Sequence, residues 1–238
     1  MDFDPLSIQK LVWNGLVPIR LHGCDMPTVY VMGRRISYLP LLLEDSIALK
    51  DTLERYKENG IQFLTMNIPL NWEIPIGILY DLYSVNNEPL EIEVSACLTK
   101  HYIPYLSIHD LENRFRNSLK EGIFSEYGRI DLLMQQTAQS QSNQFKSIIS
   151  GDYVLYERSN LSLMNDCQRQ GFLVKIYRCY QPAVIKKYTL TEGQQNIIGK
   201  DCIIHGIRPN SCNITKLWET MKYPDHILHV VEKDDDHQ

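Results

Sequence analysis

Two stretches of this 238-residue chain, about 17–97 and 171–232, run through the same succession of patterns: strand, strand, helix, strand, short helix, strand. The whole is too long for one unit of that size and about right for two small cores plus a helical insert. Two cores are therefore expected.

In the first stretch Val17, Ile19 and Leu21 alternate with Pro18, Arg20 and His22, and Thr28 to Met32 returns after a turn to complete a hairpin. Pro18 lacks an N–H and favours an edge position. From Ser37 the period changes to that of one helix carrying Leu39, Leu42, Leu43, Ile47, Leu53 and Tyr56, stopped at Asn59-Gly60. Ile61 to Met66 reads as a strand, Pro75 to Tyr83 as a short helix, and Leu90, Ile92, Val94 and Ala96 as the inward side of an alternating strand. Before all of this, Leu6, Gln9, Lys10 and Trp13 fit an opening helix closed by Asn14-Gly15.

In the second stretch Phe172 to Tyr180 and Val184 to Tyr188 form the hairpin, followed by a helix at Thr191 to Lys200 with a Thr191/Gln194 capping box. Gly193 and Gly199 each weaken that helix by about 1 kcal/mol relative to alanine. Cys202 to Ile207 is a strand, Asn213 caps a helix bearing Leu217, Trp218 and Met221, and His226 to Val231 is a last strand, apolar on both faces and so central. Between the stretches, Ser107 and Asp110 cap a helix with Ile108, Leu111, Phe115 and Leu119 on one face. A second helical stretch carries Ile130, Leu133 and Met134, and Gln135 to Gln144 reads equally as an exposed helix or a mobile linker. Phe145, Ile148, Tyr153 and Tyr156 restore a buried helical pattern.

This order is that of a ubiquitin-like β-grasp. The fold class is α+β; two ubiquitin-like β-grasp domains flanking a helix-rich domain. The expected division is an N-terminal helix at 1–16, a first ubiquitin-like domain at 17–104, a helix-rich domain at 105–170, a second ubiquitin-like domain at 171–233 and an acidic tail at 234–238. The sequence does not end in Gly-Gly, the tail by which a ubiquitin-like modifier is activated and donated, so it is expected to receive or bind rather than to be transferred.

A net charge of −5 argues against nonspecific nucleic-acid binding, and contact with phosphates has to be local. No apolar run approaches the ~18 residues of a membrane span, and Met1-Asp2-Phe3-Asp4 lacks the basic start of a signal peptide. A cytoplasmic protein with reduced thiols is expected, and the sequons at Asn160 and Asn213 are read as chance.

Motifs for catalysis are weak. Cys202-x-x-His205 and His226-x-x-His229 have zinc-like spacings, but residues three apart on a strand point to opposite faces. The Gly193 to Lys200 stretch has one residue too many between its glycines for a phosphate-binding loop, and Asp201 stands where the magnesium hydroxyl belongs. There is no Gly-x-Ser-x-Gly, no His-Glu-x-x-His and no dinucleotide-binding glycine pattern. A dispersed Ser/His/Asp triad leaves no sequence signature and stays open. No catalytic residue, metal or cofactor is assigned, and an interaction protein is expected over an enzyme.

Val12-Trp13-Asn14-Gly15, Arg35-Ile36-Ser37-Tyr38-Leu39, Pro75-Ile76-Gly77-Ile78-Leu79-Tyr80-Asp81-Leu82, Ile204-His205-Gly206-Ile207 and Tyr223-Pro224-Asp225-His226-Ile227-Leu228-His229 carry a resemblance over nearly the whole chain. It resembles the autophagy protein 5 family. The resemblance implies a non-catalytic acceptor, joined by an isopeptide bond to the ubiquitin-like autophagy protein 12 through conjugation enzymes. It also implies a groove for a helix of autophagy protein 16, and a ligase-like complex that promotes transfer of autophagy protein 8 to phosphatidylethanolamine at the preautophagosomal membrane.

By the same resemblance the acceptor falls at Leu119-Lys120-Glu121, giving Lys120 as the isopeptide site with Lys146 as nearest rival, and Trp13 as an anchor for the partner helix. An ordinary core place is the competing reading for Trp13, Trp72 and Tyr80. Peripheral membrane contact would use Arg34-Arg35 or Lys186-Lys187. The middle helices of longer family members carry more lysines where this chain has its glutamine-rich stretch, which weakens the case for membrane contact there. A lysine amine, with a reference pKa of about 10.4, is protonated at neutral pH, so outside enzymes must supply the thioester and accept the proton. The alternatives are a noncovalent ubiquitin-like adaptor and a hydrolase.

Overall fold

The computed structural model describes residues 5–24, 26–45, 47–56, 58–97, 102–164, 168–199, 201–209 and 212–233; the acidic tail expected at 234–238 lies outside the described residues. The chain divides into two compact units, one of Leu16–Arg114 and one of Met1–Gly15 with Phe115–Gln238.

After the opening helix α1 (Pro5–Trp13), the Leu16–Arg114 unit contains β1 (Leu16–Gly23), β2 (Met26–Arg34), α2 (Leu39–Asp45), α3 (Ile47–Arg55), β3 (Ile61–Thr65), β4 (Ile68–Leu70), α4 (Ile76–Tyr83) and β5 (Leu90–Ala96). The sheet order is β2-β1-β5-β3-β4, with β1 parallel to β5, the ubiquitin-like arrangement. Alternation decides which face is buried: Ile19, Leu21, Phe63, Ile92 and Val94 are sealed from solvent. Arg35 and Asp81 form a buried ion pair here, with Nη1 to Oδ1 at 3.0 Å.

One expectation is corrected in this unit. The strand with Pro18 is interior to the sheet, between β2 and β5, but its ladder with β5 begins only at Ile19, so Pro18 stands where β1 has a neighbour on one side. The helix expected from Ser37 is described as α2 and α3 on either side of position 46, which lies outside the described residues.

The remaining elements are α5 (Ile108–Tyr127), within which the division between units falls, α6 (Asp131–Met134), α7 (Ala138–Ser150), α8 (Tyr153–Met164), β6 (Gly171–Tyr177), β7 (Val184–Thr189), α9 (Leu190–Gln195), β8 (Cys202–Ile203), α10 (Ile214–Met221) and β9 (Leu228–Glu232). The second sheet runs β7-β6-β9-β8, again with first and last strands parallel and the last one central. Phe172, Val174, Ile176, Leu217, Trp218, Leu228 and Val230 form its core, with Phe172 stacked on Trp218 at 5.0 Å. Asn213 caps α10 as expected, its Oδ1 accepting from Lys216 N–H at 2.8 Å.

Three local expectations are corrected in the second unit. The capping box is Thr189/Glu192, two residues before the expected pair, and α9 ends at Gln195. Gly193 is there for space: a Cβ would stand 2.3 Å from Thr215 Oγ1 and 2.7 Å from Phe172 Cζ. The strand expected at Cys202 to Ile207 shortens to β8, because Ile204 and Ile207 pair with each other across a turn at His205 and Gly206. Gln135 to Gln144 resolves in favour of helix from Ala138, capped by Thr137 and continuing to a left-handed Gly151.

Candidate functional site

Ser107 starts α5 by accepting from Asp110 N–H and donating its hydroxyl to the Asp110 carboxylate at 2.7 Å. Leu111, Phe115, Leu119 and Ile123 make the buried side of the helix, and Asn117, Lys120, Glu121 and Phe124 an outward stripe. Lys120 is half-buried, about two turns before the helix ends, and its ammonium makes no ion pair among the described residues. Lys146, on α7, is exposed.

The far side of α5 is locked to the segment before β9. Gly122 lets the helix close on that segment, since a Cβ there would stand 2.1 Å from the Asp225 carbonyl oxygen. Ser118 donates to Asp225 Oδ2 at 2.7 Å, and His229 Nε2 lies 3.0 Å from the same oxygen. His229 Nδ1 is 2.8 Å from the Tyr177 hydroxyl. Lys175 donates to Ser118 Oγ at 3.3 Å and pairs with Glu121 at 3.4 Å.

A serine, a histidine and an aspartate thus meet, but in an order that does not make a nucleophile. In a catalytic triad the imidazole stands between hydroxyl and carboxylate. Here the carboxylate stands between, and the imidazole's other nitrogen faces Tyr177. Burial alone would raise the Asp225 pKa, but His229, Lys175 and the Ser118 hydrogen bond outweigh it and hold it at about 2, so it is a poor base. The arrangement is a brace.

One turn further along α5, Glu126 is fully buried, with His226 Nδ1 at 2.7 Å, Arg169 Nε at 3.1 Å and Lys222 Nζ at 3.4 Å. Burial pushes its pKa up; His226, Lys222 and Arg169 pull harder and bring it down to about 2. Burial and the neighbouring Lys222 lower the His226 pKa. A neutral imidazole donating through Nδ1 fits the geometry, because its buried Nε2 has no partner. Lys222 also lies 4.3 Å from the centre of the Trp218 ring.

Trp13 is 3% exposed. Its Nε1 donates to Gly151 O at 2.8 Å and its ring packs on Tyr153 and Tyr156, while Gln9 binds the Glu219 carbonyl, so α1 is fastened to α8 and α10. Trp72 and Tyr80 are also buried. Of the two basic pairs singled out for membrane contact, Arg34-Arg35 is not a surface pair, because Arg35 is buried on Asp81; Lys186 and Lys187 are exposed on β7. The described residues contain no cluster of three or more metal-ligating side chains and no helix long and apolar enough to cross a membrane.

Residues 12–96 match the family model described as Autophagy protein ATG5, UblA domain. Autophagy protein 5 of Arabidopsis thaliana is 32% identical over 161 residues, covering 63% of this chain and 48% of the relative. That of Phaeosphaeria nodorum is 28% identical over 199 residues, covering 66% and 63%. The chain is similar to autophagy protein 5. The crystal structure of Kluyveromyces marxianus Atg5 superposes with a TM-score of 0.81 over 96% of this chain and 100% of that one; at 19% identity this speaks for the fold. The chain spans about half the length of the curated relatives it matches.

Glu126, Lys222, Arg169, Ser118 and Lys175 were not legible from sequence as site residues. Their partners lie 43 to 107 positions away in the sequence. The one available signal was the Tyr223 to His229 segment, with an acid and two histidines on residues that turned out to be buried.

Proposed function

We propose that this chain is the acceptor for autophagy protein 12, linked through Lys120. What supports the reading is that Lys120 stands on the outward stripe of a helix whose opposite side is braced by buried hydrogen bonds and the Lys222–Glu126 ion pair, so the amine is presented from a rigid base. The reacting carbon comes from a thioester carried by a conjugating enzyme. The ammonium first gives one proton to the enzyme or to solvent; the free amine then attacks that carbonyl, the C–S bond breaks, and the second nitrogen proton goes to the leaving thiolate or to solvent. Asp225 and Glu126 are committed within the brace and are poor bases, so acid–base power is imported.

The product, with autophagy protein 16, acts as a ligase-like factor that promotes joining of autophagy protein 8 to phosphatidylethanolamine at the preautophagosomal membrane, with no catalytic residue of its own. Trp13 serves the partner helix by setting the position of α1, whose Leu11 remains exposed. Lys120→Arg keeps charge and helix. In a reconstituted conjugation reaction it is expected to abolish the adduct, seen as a missing gel-shifted band, with the melting curve unchanged. An undiminished adduct refutes the assignment, and a peptide map showing the branch at Lys146 replaces it. Unmodified intact mass in active cells would favour a noncovalent adaptor.

A further inference from the structure

Four strands form the edges of the two sheets: β2 and β4 in one, β7 and β8 in the other. An edge strand exposes unpaired backbone groups, and folded proteins blunt it with shortness, proline or a bulge. β4 has three residues including Pro69, and β8 has two. β2 carries Pro27 and a register shift against β1 between Leu21 and Gly23. β7 has none of these. Its six residues contain no proline and keep one register with β6 from Val184 to Thr189, and all but Tyr188 are exposed.

We propose that β7 is a docking edge for an extended acidic segment of a partner protein, which adds to the second sheet as a further strand and sets adjacent carboxylates against Lys186 and Lys187. Successive side chains of a strand point to opposite faces, so an adjacent acidic pair meets one lysine on each face. Ile185 is 57% exposed, and Phe124 of α5, 51% exposed, lies under Lys187 with Nζ 5.8 Å from the ring centre; they offer an apolar footing to residues flanking the acids. The same lysines argue against a second copy. Two β7 strands paired antiparallel about their centre would set lysine opposite lysine, which is unfavourable. Main-chain hydrogen bonds supply the affinity and the charges choose the partner.

The test uses the full chain and a labelled peptide with two adjacent glutamates between flanking valines, followed by fluorescence anisotropy. Binding is expected, weakening at least tenfold in Lys186→Glu/Lys187→Glu, with chemical-shift changes in the free protein's spectrum centred on β7. The double variant should instead bind the peptide with two lysines in place of the glutamates, which keeps the test decisive if the variant loses stability. A peptide N-methylated at alternate residues retains the charges but cannot pair as a strand, and is expected not to bind. Equal binding of the methylated peptide means charge attraction alone and overturns the proposal. So does failure of the unmodified peptide to bind, or dimerisation of the chain through β7.

Discussion

Glu126 is the residue on which most of the buried charge of its unit depends. Replacing one member of a buried ion pair leaves the other uncompensated, at a cost of about 3–5 kcal/mol. Glu126→Gln leaves Lys222 facing a neutral amide, and urea unfolding is expected to show a loss of that order. The pH dependence follows from the same groups. His226 has a folded pKa below its ordinary 6.5, so its contribution is present above pH 6.5 and is lost as pH falls below that value. Glu126 and Asp225, both held at about 2 against ordinary values of 4.5 and 3.8, lose theirs between those values and about 2. Thermal melting between pH 7 and 5 should already show a decline, and His226→Gln should flatten that part of the profile.

At the scale of elements, Gly122 sets two effects against each other. Alanine in a helix interior is worth up to about 1 kcal/mol over glycine, yet its Cβ would stand 2.1 Å from the Asp225 carbonyl oxygen. The clash is with backbone and wins: Gly122→Ala is expected to destabilise by about 1–3 kcal/mol in chemical denaturation. Elements whose signals are local were read well from sequence, such as the alternating β5 and the Asn213 cap. The errors came where two local signals overlapped. Thr189-x-x-Glu192 and Thr191-x-x-Gln194 both fit a capping box, and the end of β7 at Thr189 decides between them. Pro18 was misplaced for a related reason: an interior strand can be single-sided where its neighbour has yet to begin. Of the brace, only the Tyr223 to His229 segment was visible; Glu126 and Ser118 look like ordinary helix polar residues until the fold brings them to His226 and Asp225.

For the whole molecule, the division into Leu16–Arg114 and the remainder gives Glu126→Gln a spatial signature. Hydrogen exchange in that variant should rise across α1, α10 and β9 and stay at wild-type levels in the first sheet. Uniform loss of protection would mean that the chain unfolds as one cooperative body.

The fastening of α1 also has a consequence for synthesis on the ribosome. The groups that hold this helix, Gly151, Tyr153, Tyr156 and the Glu219 carbonyl, are translated far later than it is. Until then Val12 and the Trp13 indole, both buried in the finished fold, have nowhere to go, and a nascent chain must keep them from other hydrophobic surfaces while the Leu16–Arg114 sheet closes. A helix made before the first sheet is thus among the last to find its place, and chaperone capture of the growing polypeptide should peak in that interval.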